Sequence, residues 1–120
     1  MSTRNGLIAV AGILTAIAIV GATQKPPFRA AVERCQIANA RGVVLGGGGR
    51  FLHMRAGVSQ ELSLRKVGCV LSWLNAPQTV NAQIESTNAI MGTQTAHWDN
   101  IEARWTYNGF TGLSINFEIR

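Results

Sequence analysis

The chain has 120 residues, 47% apolar and 14% charged, with 11 Lys and Arg against 6 Asp and Glu. That length holds a single domain. The apolar fraction excludes a wholly disordered chain, and two cysteines are too few for a disulfide-dense mini-protein.

The apolar residues are concentrated at the start. Residues 7–22 read LIAVAGILTAIAIVGA without a charge, between Arg4 and Lys25. As a helix this run rises about 24 Å, against a hydrocarbon core of about 30 Å. Two readings fit: an uncleaved membrane anchor spanning residues 1–23, or a signal peptide cut after Ala22. A buried helix of a soluble domain would show a polar face, which this run lacks. Arg4 and the N-terminus favour the cytoplasmic side, which places the remainder outside the cytoplasm, either tethered or released after cleavage.

Residues 24–27 (QKPP) form a proline hinge, and residues 28–120 the exported domain. The spacing of Phe28, Val32, Cys35 and Asn39 predicts a helix over 28–40, ended by Gly42. Residues 43–54 read as a hairpin with a glycine tip. Gly46, Gly47, Gly48, Gly49 and Arg50 there form a candidate anion nest, in which consecutive N–H groups converge on one oxyanion. The simpler reading is a turn, because neither GxxxxGK[ST] nor GxGxxG is present and no cofactor is called for.

Ser59 is the expected N-cap of a helix over 60–75, with Glu61 and Arg65 paired at i,i+4 and an apolar face of Leu62, Val67, Val70, Leu71 and Leu74. Residues 79–85 alternate apolar and polar and predict a half-buried strand. Residues 86–97 are polar and read as a loop. The last 20 residues predict a hairpin turning at Asn108-Gly109. A three-residue turn, 108–110, pairs Trp105 with Leu113 and keeps the apolar set on one face. The expected fold is therefore α+β: an N-terminal hydrophobic helix, then a small antiparallel sheet of three to five strands covered by one or two helices.

Cys35 and Cys69 lie in no metal-binding or redox spacing. Behind an export signal they are expected to form a disulfide, stabilising a closed loop of about 34 residues by roughly 3–4 kcal/mol. The alternative is two unpaired buried thiols. His53 and His97 are remote from both cysteines and from each other in sequence, so no metal site is assigned.

The charge is polarised. Residues 25–66 carry eight basic and two acidic residues, including Arg29, Arg34, Arg41, Arg55, Arg65 and Lys66, whereas residues 79–120 carry two basic and four acidic. The basic part suits anionic head groups of a membrane or envelope, or the acidic end of another copy in a homo-oligomer or larger assembly. Nucleic acid is disfavoured, because the aromatics do not interleave with the basic residues.

No GxSxG, HExxH or paired-carboxylate motif is present. The first functional expectation is thus a small exported or anchored envelope protein acting as a non-catalytic binding or accessory module. The second is a structural subunit of a pilus-like filament, secretion machine or virion. The layout resembles a pilin: a leading hydrophobic helix, a proline break, and an α+β part ending in an antiparallel hairpin. Gly6 before Leu7 is similar to a prepilin cleavage glycine, although Leu7 stands where that family has Phe and Ala11 where it has Glu. The third is a small exported enzyme, whose cleft would have to use His53, His97 and Asp99.

Overall fold

A computed structural model describes residues 27–120. The hydrophobic segment, its orientation and all of the hinge but Pro27 lie outside the described residues. In chain order the elements are α1 (Pro27–Arg34), β1 (Val43–Gly46), a 3-10 turn (Gly47–Gly49), β2 (Phe51–Ala56), α2 (Leu64–Trp73), α3 (Gln78–Glu85), β3 (Gln94–Trp98), β4 (Ile101–Asn108) and β5 (Gly112–Ile119). The five strands form one antiparallel sheet in the order β1-β2-β5-β4-β3. The fold is α+β, with three helices rather than one or two. Among the described residues no helix is long and apolar enough to cross a membrane.

Alternation along β5 organises the core. Leu113, Ile115 and Phe117 are buried on one face, with Ser114, Asn116 and Glu118 on the other. They meet Ala56, Met54 and Leu52 of β2 on one side and Tyr107, Trp105 and Ala103 of β4 on the other. The helices cover this face. Phe28 of α1 contacts Phe117 at 6.1 Å between centroids, and Trp98 meets the same ring edge-on at 6.4 Å. Val67, Val70 and Leu71 of α2 complete the core. The indole N–H of Trp98 donates to the Leu74 carbonyl (2.9 Å) and that of Trp105 to the Thr87 hydroxyl (2.9 Å), so both buried donors are satisfied.

Cys35 and Cys69 form a disulfide, with Cα atoms 6.0 Å apart, that joins the end of α1 to the middle of α2. Beside it the Arg34 guanidinium lies 4.8 Å above the Trp73 ring.

Several sequence expectations are corrected. The first helix stops at Arg34, not at residue 40, because Gln36 takes φ +61. Ile37 N–H then donates to Val32 O and Gln36 N–H to Glu33 O, a Schellman closure in which both Ile37 and Val32 are buried. Gly42 is not the cap; its φ of +86 serves the entry to β1, where a Cβ would sit 2.9 Å from Arg55 O. The second helix is shorter than 60–75. Ser59 takes φ +62 in the preceding loop, the N-cap position is Ser63, and Asn75 (φ +59) closes the C-terminus. Glu61 therefore precedes the helix and lies near Arg41 (3.9 Å) instead of Arg65.

The expected strand over 79–85 is the helix α3. Val80 and Ile84 are also an i,i+4 pair, so eight residues fit either period. Ala82, inward in the strand reading, is exposed. Pro77, just ahead of the first turn, suits a helix start. The expected loop 86–97 ends inside strand β3, an edge strand with polar residues on its outer face. The C-terminal turn is three residues long but comprises 109–111, which pairs Tyr107 with Leu113 and Trp105 with Ile115. The register moves by two residues, so every side chain keeps its predicted face. Asn108 Oδ1 accepts from the N–H groups of Phe110 and Thr111. Gly112 closes the turn at φ +86, where a Cβ would collide with the Ala56 carbonyl oxygen.

The Gly112→Ala substitution is expected to cost about 2–3 kcal/mol, combining positive-φ strain with that collision. Gly109→Ala, whose Cβ meets nothing within 4 Å, should stay within about 0.5 kcal/mol of wild type. Urea unfolding of the two variants checks both values.

Candidate functional site

The helical layer does not close over the sheet. Around α2, Cys69, Lys66 and Trp73 face α1, while Leu64, Gly68 and Leu71 face the other way. α1 and α2 are held together by the disulfide and by Lys66 Nζ donating to Cys35 O at 3.0 Å. α3 enters the core through Val80 alone, with Ile84 partly buried. Between α2 and α3 lies a cleft of about 640 Å³, within the usual range for small-molecule sites. Leu64, Val67 and Leu71 form one wall, Ile84 contributes to the other, and Tyr107 and Leu113 of the sheet lie beneath.

The polar groups of the cleft are few. Thr87 is committed: its hydroxyl accepts from Trp105 Nε1 and donates to Gln83 O at 2.6 Å. Asn81 is half-buried on α3. Arg65 of α2 and Glu85 of α3 belong to opposite walls, both exposed, and among the described residues neither makes an ion pair. The inner cleft therefore suits an apolar group, with charge available only at its rim.

Gly68 is the unexpected residue of this site. It sits in the interior of α2, where glycine costs about 1 kcal/mol relative to alanine. Neither backbone nor packing requires it, since a Cβ there would meet nothing within 4 Å. The glycine keeps open a volume that almost any side chain would begin to fill. An interior helical glycine is the one sequence signal that points to the cleft; the remaining lining residues are indistinguishable in sequence from ordinary core positions.

The residues singled out from sequence fall elsewhere. Gly46 ends β1, and Gly47, Gly48 and Gly49 (φ +60, +67 and +93) make the β1–β2 connection. Arg50 N–H donates back to Gly47 O and Arg50 O accepts from Ile119 N–H, so this backbone serves the turn and the sheet. The basic residues do not form one patch. Arg29 and Arg34 lie on α1, Arg65 and Lys66 on α2, and Arg41 in the loop before β1. Arg55 projects from the opposite, open face of the sheet, in register with Ser114. His53 and His97 also lie on that open face, separated by the sheet from both cysteines. His53 Nδ1 is 2.7 Å from Asn116 Oδ1.

Glu102 is the most buried charge on the open face. Arg120 binds it through Nε (2.7 Å) and Nη2, with Arg104 Nη2 at 3.4 Å and His97 Nε2 at 3.6 Å. The Arg120 hydrogen bonds, reinforced by the Arg120, Arg104 and His97 charges, hold its carboxyl below the usual range against the opposing effect of burial. This cluster ties the last residue to β4 and, with Phe51, Asn116 and Glu118, borders a shallow hollow of about 170 Å³.

Comparison of the chain with protein-family models, curated proteins and solved structures gives no match, so the site rests on its own residues.

Two outcomes check this description. Gly68→Ala should raise stability by about 0.5–1 kcal/mol, because it improves helix propensity without a clash; thermal unfolding measures it. A carboxyl depressed in the folded state contributes stability above its unfolded pKa, about 4.3, and loses it as pH falls through the folded value. Unfolding midpoints measured from pH 6 to pH 3 should therefore fall more steeply for wild type than for Glu102→Gln.

Proposed function

We propose that this protein is a small exported, non-catalytic binding module whose ligand seat is the cleft between α2 and α3. The observation that carries this reading is the open helical layer: an apolar cleft of about 640 Å³ above a well-packed sheet, its width preserved by a glycine. Export is supported by the uncharged run at 7–22, with a positive residue ahead of it, and by the disulfide, a bond that persists in oxidising compartments. A non-catalytic role is supported by the separation of the enzyme candidates: His53 and His97 lie on the open sheet face and Asp99 in the β3–β4 turn, all outside the cleft. In this reading the domain is held at the outer face of a membrane by residues 1–23, or released when they are removed, and its partners are membrane or envelope components.

A second reading, a structural subunit of an assembly, is favoured by the charge polarity. The basic residues mostly belong to α1, β2, α2 and the connections before them, while Glu85, Asp99, Glu102 and Glu118 belong to α3, the β3–β4 turn, β4 and β5. Opposite net charge in the two halves of the chain suits contact between unlike parts of neighbouring copies.

Intact-mass measurement and N-terminal sequencing of the protein from membrane and soluble fractions, with a thiol count before reduction, test the exported module. Expected are no reactive thiol and an N-terminus that is either unprocessed or Thr23. Two free thiols in exported material would overturn the oxidised-compartment argument, and cleavage after Gly6 would favour the assembly subunit.

A further inference from the structure

Taking the cleft between α2 and α3 as the ligand seat, we propose that its ligand is a single-chain zwitterionic amphiphile of the phosphoethanolamine type, its hydrocarbon chain between the helices and its head group at the rim. This rests on the binding-module reading above and specifies the ligand. Three observations lead to it.

First, the lining is chiefly apolar, made by Leu64, Val67, Leu71, Ile84 and Leu113. Of its uncharged polar side chains, Thr87 is already bonded to Trp105 and Gln83, which leaves the half-buried Asn81 and Tyr107. Against those apolar side chains a polar centre would lose its water without compensation, whereas a hydrocarbon chain would not. Second, the space is maintained. Gly68 faces it with nothing within 4 Å of a would-be Cβ, in a helix interior where other residues are favoured. Third, the rim carries both signs of charge on separate walls, Arg65 on α2 and Glu85 on α3, without an ion pair for either among the described residues. A purely anionic head would gain from Arg65, whose planar guanidinium matches a phosphate, but would be opposed by Glu85. A phosphate carrying an ammonium group satisfies both: the phosphate meets Arg65 and the ammonium meets Glu85.

The test titrates the full chain with three probes kept below their micelle concentrations: a single-chain phosphoethanolamine lipid, the fatty acid of equal chain length, and the corresponding alcohol. Calorimetry reads the affinities, and every variant retains the hydrophobic segment, so uptake by that segment is a shared background. The phosphoethanolamine lipid should bind most tightly. Arg65→Gln and Glu85→Gln should each weaken it about threefold to tenfold, as expected for partly exposed charge contacts, and leave the alcohol unchanged. Gly68→Leu, which projects into the cleft without disturbing the helix, should remove binding of all three above background while the melting temperature holds or rises.

If all three probes bind equally and the charge variants are silent, the head-group assignment fails and the cleft remains a seat for an apolar chain. If the fatty acid binds most tightly and Glu85→Gln strengthens it, the ligand is an anion and the zwitterion is wrong. If Gly68→Leu binds like wild type, both the ligand and the cleft as its seat are overturned.

Discussion

Strand β5 is hydrogen-bonded on both sides, and the rest of the structure depends on the direction its side chains take. Leu113, Ile115 and Phe117 must all point to one face, because a slip of one residue would put Ser114, Asn116 and Glu118 in the core. Gly112 sets the start of that register. Only a residue without a Cβ can take φ +86 against the Ala56 carbonyl, so the turn from β4 ends there. Once β5 is placed, β2 and β4 bring Met54, Leu52, Trp105 and Ala103 to the same face, and a sheet with one apolar side has to be roofed.

The roof is uneven, and that unevenness gives the molecule its candidate site. On one side the covalent link between Cys35 and Cys69 holds α1 against α2, the Arg34 guanidinium stacks on Trp73 across that junction, and Phe28 anchors α1 on Phe117 of the sheet. On the other side α3 is short, enters the core through Val80, and leaves a gap over Tyr107 and Leu113. A packed interior normally has few voids larger than a water molecule. An apolar cleft of this size, bordered by a glycine that the backbone does not need, marks a place where packing was left incomplete. The opposite face of the sheet is mostly polar, with Glu102 gathering Arg120, Arg104 and His97. The two faces thus differ: one carries the ion pairs around Glu102, the other an apolar opening with Arg65 and Glu85 at its rim.

Strong, long-range patterns were legible in the chain. The hairpin at 43–54, the apolar face of α2, the inward set of the C-terminal hairpin and the pairing of the two cysteines all follow from periodicity or from the small number of available partners. Short segments were not. Residues 79–85 satisfy both a strand and a helix period, and seven residues cannot separate the two. The first helix stops at Arg34 because Gln36, a residue with no special claim to a left-handed conformation, takes φ +61, and the turn that follows carries Ile37 into the core, a position that a continued helical period does not indicate. Strand β3 is not legible in the sequence because only Trp98 on it is buried, and polar edge strands resemble loops.

By itself the sequence determined the class of the fold, the face each residue of β4 and β5 would present, and the polarity of charge along the chain. These depend on composition and side-chain alternation, which survive a shift of register by two or a helix shortened by a turn. The tertiary structure alone decided which charges share a surface, and it placed Arg55 and the histidines across the sheet from Arg29, Arg34 and Lys66. It also decided that a glycine inside α2, two charges from different helices and the end of a β-hairpin would meet around one cleft. Their positions span residues 64–113, and only packing two helices side by side on a twisted sheet brings such distant residues together.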